Sequence, residues 1–203
     1  GHLYLELPPS LEPLAHDPPL ADKILVQGDK LPDFDLHVPF LDLPRILKTT
    51  AKKIPANIPY LAADQKLRET VRRWINQFDG IKVGLNWSGN SASPLEQFRR
   101  IPAEALTLLS DLSGISWFSL QNNEEILRIP KLNKRFVAPL QEVAALIMEL
   151  DLIITSDTAV AHLAGALGKP VWILLHHAPD WRWLTTGETS PWYPTARLFR
   201  QPQ

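Results

Sequence analysis

The sequence contains no cysteine among its 203 residues, which excludes disulfide bonds, zinc fingers, iron–sulfur clusters and thiol catalysis. Net charge is also nearly absent, because 21 lysines and arginines offset 22 acidic residues. Nucleic-acid-binding proteins usually carry a basic surface, so we expect no nucleic-acid partner. No apolar run approaches the roughly 20 residues that cross a bilayer, and we therefore expect a cytoplasmic protein.

Proline is in excess, at 19 of 203 residues, and ten of the prolines lie between residues 8 and 59. Each proline fixes φ and removes a backbone donor, so this part predicts short parallel strands with irregular crossovers rather than long helices. A strand over 3–7 begins two residues after Gly1. Because independent domains rarely start a strand without a lead-in, we expect an excised piece that begins inside a partial α/β domain.

From residue 62 onward, helical and strand patterns alternate. Apolar residues at helical spacing predict an amphipathic helix over 62–78. Further on, the predicted strands cover 81–87, 115–120, 152–155 and 171–175, and the predicted helices cover 102–112, 141–150 and 158–167. Wholly apolar strands between helices indicate a parallel sheet covered on both faces. We therefore predict a partial N-terminal α/β domain (1–61), a connecting helix (62–80) and a Rossmann-like C-terminal domain (81–203).

The segment 151–172 holds the clearest candidate site. A buried strand ends at Thr155, Ser156 or Asp157 is expected to cap a helix of small residues, and Gly168 ends that helix. Ligands of open parallel sheets bind beyond the carboxyl ends of strands, and a helix N-terminus there suits a diphosphate. The alternative is a well-capped core helix without a ligand.

This segment resembles the nucleotide-sugar-binding motif of glycosyltransferase family 9, the ADP-heptose:lipopolysaccharide heptosyltransferases. It is closer still to the related domains that follow tetratricopeptide repeats in bacterial proteins similar to O-linked N-acetylglucosamine transferases. Further segments carry the same resemblance: 83–90, 99–102, 118–121, 178–184, 190–194 and 198–201, and more loosely 31–39 and 58–61.

The resemblance implies an α/β protein of GT-B-like architecture, in which two Rossmann-like domains face each other across a cleft. It implies a nucleotide-diphosphate sugar as donor, inverting and metal-independent transfer, and no cofactor. The acceptor would be a glycan, a lipid or a protein, and a tetratricopeptide-repeat region would lie elsewhere in the parent chain. The donor base, the sugar and the oligomeric state stay open.

The resemblance also implies roles for individual residues. Arg99 or Arg100 would neutralise the leaving diphosphate, which is electrostatic stabilisation of developing charge. Asp157 would bind sugar hydroxyls or cap the helix, and His162 would contact phosphate or hydrogen-bond within the domain. The full set of expected substrate-binding residues is Trp87, Ser88, Gly89, Asn90, Gln121, Ser156, Asp157, Thr158, Ala159 and His162.

Nothing in the chain matches the acidic base that the family places in a glycine-rich loop near its N-terminus. The length is also short of the roughly 300 residues that two full domains need. The D-x-D pattern at 33–35 imitates a metal-binding motif, but its place in the chain favours a structural role. Two hypotheses follow. In the first, the chain is a fragment or a compact variant of a glycosyltransferase, and it is inactive if it is only a fragment. In the second, it is a non-catalytic binding or interaction module attached to a repeat protein.

Overall fold

The computed structural model describes residues 1–121, 132–134 and 139–202, without the side chains of 103, 104, 110 and 111. Its strands are β1 (Tyr4–Leu7), β2 (Lys23–Val26), β3 (Ile81–Asn86), β4 (Ile115–Ser119), β5 (Leu132–Asn133), β6 (Leu152–Ser156), β7 (Val171–Leu175) and β8 (Ala196–Arg200). Its helices are α1 (Leu43–Ile46), α2 (Gln65–Ile75), α3 (Glu96–Arg99), α4 (Ala103–Thr107), α5 (Leu140–Met148) and α6 (Ala159–Ala166).

Six strands form one parallel sheet in the order β5-β4-β3-β6-β7-β8. Within this sheet, β3 is the first strand along the chain, and β4 and β5 follow on one side of it. The later strands β6, β7 and β8 lie on the other side of β3. The strand order therefore reverses between β3 and β6, and open α/β sheets form their ligand crevice at the carboxyl ends of such a pair. The predicted parallel sheet is confirmed.

Both faces of this sheet are covered, as the apolar strands predict. On β3, Val83 and Leu85 pack with Trp117 and Leu106 in a smaller cluster. The other face packs against α2, α5 and α6 in the larger cluster, which includes Phe118, Ile153 and Ile147. Phe118 is enclosed by Trp74 and Phe78 in edge-to-face contacts with centroids 5.3 Å apart in each pair.

The part before residue 61 departs from the expectation. Within the described residues it contains a single parallel pair, β1 with β2, and otherwise short helices and turns. The expectation of several strands with crossovers is therefore wrong beyond residue 26. Residues before 61 also contact the C-terminal half. Leu14 is buried in the larger core, and the main-chain N–H of Tyr60 donates to the Ala166 carbonyl at 3.0 Å.

Several element boundaries also differ from the sequence prediction. Helix α2 is shorter than 62–78 because the Asp64 carboxylate caps it, accepting from the Leu67 N–H at 2.8 Å. The expected helix over 102–112 is α4 followed by a 3₁₀ turn over Leu108–Asp111. Helix α6 has Thr158 at its N-cap, so the expectation of a Ser156 or Asp157 cap is wrong. The domain boundaries at 61 and 80 stay predictions.

An ion-pair cluster holds α2 against the end of α5. The Glu149 carboxylate, whose side chain is 9% exposed, accepts from Arg68 Nε at 2.9 Å and from Arg72 Nε at 2.8 Å. Burial raises the pKa of Glu149, but the hydrogen bonds from Arg72 and Arg68 outweigh burial, and the pKa lies below its ordinary value. Because the carboxylate form is the one that the folded state stabilises, this cluster favours the folded state at neutral pH.

We predict that Glu149→Gln lowers the free energy of unfolding by about 1–2 kcal/mol at pH 7, the range for hydrogen bonds to a charged group that is partly solvated. A lowered folded-state pKa contributes stability above the unfolded-state pKa near 4.3 and loses it as the pH falls through the folded value. The difference in unfolding free energy between variant and wild type should therefore shrink below about pH 4. Urea unfolding at a series of pH values measures this difference. Glu69→Gln, on the exposed face of α2, is the control, and an equal effect there would contradict the assignment.

Candidate functional site

The candidate site lies where β3 and β6 end, at the reversal of the strand order. Asn86, the last residue of β3, is 4% exposed. Its Oδ1 accepts from Thr158 Oγ1 at 2.8 Å and from Thr155 Oγ1 at 3.2 Å. This amide therefore ties the end of β3 to the N-cap of α6. Sequence reasoning did not assign Asn86 a role, although a polar residue that ends an apolar strand was the available signal.

The Gln121 amide holds the loop after β3. Its Oε1 accepts from Asn86 Nδ2, the Trp87 N–H and the Ser88 N–H, at 3.1, 3.2 and 3.2 Å. Its Nε2 donates to the Ser88 carbonyl at 3.1 Å and to Ser88 Oγ at 2.8 Å. This side chain, one of the expected substrate-binding residues, is thus hydrogen-bonded to the protein itself. A substrate contact of Gln121 stays a prediction.

We predict that Gln121→Leu destabilises the fold by about 2 kcal/mol, because it leaves the buried N–H groups of Trp87 and Ser88 without an acceptor. Hydrogen exchange at those two amides should accelerate relative to amides in β7. Gln77→Leu is the matched control, because Gln77 is an exposed glutamine after α2. Unchanged stability and unchanged exchange in Gln121→Leu would contradict the supporting role.

Gly89 and Glu96 close the same loop. Glu96 Oε1 accepts from the Gly89 N–H at 2.6 Å. A Cβ at Gly89 would lie 3.0 Å from Glu96 Oε2 and 3.3 Å from Thr158 Cγ2. The glycine therefore allows the loop to pack closely against α3 and the start of α6. Glu96 is a buried carboxylate that sequence reasoning missed.

Two other predicted residues of this loop have local structural partners. The Trp87 indole is packed in the smaller core cluster, and its carbonyl accepts from the Ile101 N–H at 2.9 Å. Asn90 is exposed, and its Oδ1 accepts from the Ala92 N–H at 3.0 Å in a turn. Substrate contacts of Trp87, Ser88, Gly89 and Asn90 stay predictions.

A cleft of ≈ 430 Å³ lies at the N-terminus of α6. Its lining residues are Arg99, Asp157, Thr158, Ala159, His162, Asp180 and Arg182. The structure thus brings together five of the sequence candidates and adds two residues from the segment after β7. Of the two adjacent arginines, Arg99 lines the cleft, whereas Arg100 is exposed and is not one of the lining residues.

Polar atoms in and beside the cleft lack protein partners. Asp157 is 5% exposed, and within the described part of the chain its Oδ2 accepts no hydrogen bond. Arg99 Nε and Ser156 Oγ are also buried, and neither forms a hydrogen bond to a residue that the structure describes. Buried polar atoms normally have partners, so these atoms point to a ligand that carries both acceptors and donors.

Within the ranges that the structure describes, the Arg99 guanidinium forms only long hydrogen bonds. Its Nη1 donates to the Asp157 carbonyl at 3.4 Å and its Nη2 to Ser93 Oγ at 3.2 Å. Both distances are at the long end for N–H···O bonds. An anion in the cleft could therefore form shorter, charge-assisted bonds to this side chain.

Arg182 is fixed more firmly on the opposite segment. The Asp180 carboxylate accepts from the Arg182 N–H at 3.0 Å and from Arg182 Nη1 at 2.9 Å. The guanidinium also lies over the Trp181 ring, 4.8 Å from its centroid. These contacts hold a second cation at the cleft, a residue to which sequence reasoning assigned no role.

His162 lies one turn into α6 and stacks on Trp183, with ring centroids 5.1 Å apart and an interplanar angle of 18°. Its Nδ1 is 3.1 Å from the Tyr193 hydroxyl. Burial lowers the pKa of His162, and the opposing attraction of Asp157 is smaller. The imidazole is therefore neutral at physiological pH.

The described residues were also searched for metal sites and for membrane-spanning helices. Among residues 1–121, 132–134 and 139–202, no cluster of three or more His, Asp or Glu side chains could hold a metal ion. The search of the same ranges finds no helix with the length and apolar character to cross a membrane.

Comparisons with known proteins extend this description. Residues 125–194 match the sequence profile of glycosyltransferase family 9 (heptosyltransferase). Protein FlbA of Caulobacter vibrioides is 30% identical over 182 residues, which cover 82% of this chain and 30% of that protein. The glycosyl transferase family 9 structure from Veillonella parvula has a TM-score of 0.58 and 16% identity, covering 90% of this chain and 53% of that chain. The ADP-heptose lps heptosyltransferase II of E. coli has a TM-score of 0.52 and 20% identity, covering 76% and 49%.

The two structural likenesses confirm the expected fold class, an α/β, GT-B-like fold with a parallel sheet. The chain spans about half the length of these solved structures and less than a third of FlbA. The association with tetratricopeptide repeats stays a prediction.

Proposed function

We propose that the chain is the donor-binding part of a glycosyltransferase and that its cleft holds a nucleotide-diphosphate sugar. One observation carries the proposal. Asp157, whose buried Oδ2 accepts no hydrogen bond from the described residues, lines the same cleft as two arginines and the N-terminus of α6. A ligand that combines a diphosphate with hydroxyl groups fits both requirements. The family 9 profile over 125–194 supports the same class of reaction.

The diphosphate would bind between Arg99 and Arg182 at the start of α6. Both guanidinium groups can donate to phosphate oxygens, and such charge-assisted bonds are about twice as strong as neutral ones. The first N–H groups of the eight-residue α6 have no partner within the helix and add a partial positive charge. As the bond between sugar and diphosphate breaks, the same cations would stabilise the charge that develops on the leaving group.

The sugar would bind at Asp157. A carboxylate repels phosphate but accepts hydrogen bonds from hydroxyl groups, and its Oδ2 is the atom that lacks a donor within the described residues. The arginines and the helix N-terminus can carry the leaving charge without a divalent cation. We therefore propose metal-independent transfer to a glycan, lipid or protein hydroxyl, with the acceptor base supplied from outside the described site. We propose inversion at the anomeric carbon because the resemblance to glycosyltransferase family 9 implies it.

Isothermal titration calorimetry with UDP-, ADP- and GDP-sugars tests the proposal, and saturable binding of one of them is the expected result. A folded protein that binds none of them would overturn it. If the protein binds a donor but neither hydrolyses it nor transfers its sugar to any acceptor, the result would favour the non-catalytic module instead.

A matched variant tests the sugar contact. We predict that Asp157→Asn weakens binding of the nucleotide sugar about tenfold, the effect of one lost charge-assisted hydrogen bond. Binding of the corresponding nucleoside diphosphate should be unchanged or tighter, because a negative charge beside the phosphates is removed. Asp33→Asn is the control, since Asp33 is exposed in the 33–35 pattern. Equal losses for sugar nucleotide and diphosphate would place Asp157 elsewhere than at the sugar.

A further inference from the structure

The segment 33–38 has the alternation of a β-strand but lies exposed on the surface. Polar side chains, including both aspartates of the D-x-D pattern, alternate with three apolar ones, Phe34, Leu36 and Val38. All three apolar side chains are exposed, and Leu36 is 88% exposed. A strand with this pattern normally buries its apolar face. Because the face is uncovered here, we examine it as a surface that binds a partner.

The main chain of this segment is also available for pairing. Among the residues that the structure describes, none of its N–H and C=O groups takes part in a main-chain hydrogen bond. Pro32 and Pro39 flank the segment, and because proline has no N–H donor they limit strand pairing to the six residues between them. A row of unpaired donors and acceptors is the template to which another strand adds.

The segment is complementary to itself in the antiparallel register centred on Leu36. In this register Phe34 lies opposite Val38 of a second copy, and Leu36 lies opposite Leu36, so apolar side chains meet on one face. On the other face Asp35 lies opposite His37, which places a carboxylate acceptor opposite an imidazole N–H.

The alternative registers are unfavourable. A parallel pairing in register, or an antiparallel pairing centred on Asp35, places Asp35 opposite Asp35, and like charges directly opposite each other destabilise a sheet. A slip by one residue brings apolar side chains opposite polar ones. The match of charges and of apolar side chains in one register is the reason to assign the surface to a second copy of this chain.

We propose that two copies of the chain associate through residues 33–38, which pair as antiparallel strands about a two-fold axis at Leu36. Both copies contribute the same surface, as a two-fold interface requires. In the single chain the segment bends at Asp35, and the Phe34 ring contacts His37 with centroids 6.0 Å apart. Pairing straightens the bend and replaces this contact by the cross-strand ones.

Disulfide trapping tests the register directly, because the protein contains no cysteine of its own. Leu36→Cys places one thiol of each copy opposite the other at the two-fold axis, at a separation that a disulfide can span. We expect it to form a covalent dimer about tenfold faster than Leu108→Cys does, because pairing raises the effective concentration of the thiols. Leu108 is the control, since it is 75% exposed and lies in the C-terminal half. Equal rates in the two variants would overturn the proposal.

Sedimentation equilibrium measures the association without a cross-link. We expect the wild type to have twice the 22.9 kDa mass of one chain at micromolar concentrations. Leu36→Lys should be monomeric at the same concentrations, because two ammonium groups would face each other at the axis. Its unfolding by urea should match that of the wild type, since Leu36 is exposed in the single chain. Leu108→Lys should stay dimeric.

A monomeric wild type would overturn the proposal, and it is the result expected if the segment instead pairs with a strand of another protein. A dimer that Leu36→Lys leaves intact would overturn it as well, because the copies would then associate through another surface. Neither measurement depends on nucleotide binding, so a failure of this proposal is distinct from a failure of the proposed function.

Discussion

Gly165→Ala should destabilise the protein by about 3 kcal/mol, the upper end of the usual cost of overpacking, because the Tyr193 ring lies directly on the helix backbone. The new methyl group would lie 2.3 Å from Tyr193 Cγ. The ring has little room to retreat, since Tyr193 is buried and also contacts Trp183 and His162. Urea unfolding measures the loss.

A double-mutant cycle isolates this clash from the ordinary effect of changing a helical glycine. In a Tyr193→Ala background, the Gly165→Ala substitution should be neutral or stabilising by about 0.5–1 kcal/mol, because alanine favours the helix more than glycine does. The two substitutions would then show a coupling of about 3 kcal/mol or more. Additive effects in this cycle would mean that Gly165 does not accommodate the Tyr193 ring.

Arg99→Gln should weaken binding of a nucleoside diphosphate by about 10- to 100-fold, the range for losing a hydrogen-bonded charge at a phosphate. The variant should fold normally, because the hydrogen bonds of Arg99 to the described residues are long, at 3.4 and 3.2 Å. Calorimetry with whichever of UDP, ADP and GDP binds the wild type measures the change. The affinity of the wild type should also fall with added salt, and that of the variant should fall less.

Two arginine variants serve as comparisons. Arg73→Gln removes a charge from the exposed face of α2 and should change the affinity less than twofold, as a surface charge outside the cleft. Arg100→Gln tests the neighbouring sequence candidate, whose side chain is exposed, and its effect should be smaller than that of Arg99→Gln. A larger loss in Arg100→Gln than in Arg99→Gln would contradict the assignment of the cleft arginine.

Local residue patterns are enough to predict the main elements of the C-terminal half. Wholly apolar strands and helix-spaced apolar residues are local patterns, and burial on both faces of a sheet leaves few other ways to satisfy them. The pattern from Thr155 to His162 placed polar residues at a strand end and predicted four of the residues that line the cleft. The early part was predicted less well, because prolines show where regular structure ends without showing which segments pair.

Which side chains come into contact depends on the tertiary structure. Arg99 and Arg100 are equivalent in sequence, and the fold alone turns Arg99 to the cleft. Gln121 is 33 residues from Ser88, and only the pairing of β3 with β4 brings its amide to that loop. Asp180, Arg182 and Tyr193 reach the cleft and α6 from beyond β7. Such contacts join segments distant in the chain, and their geometry depends on strand order and close packing, which local residue patterns do not encode.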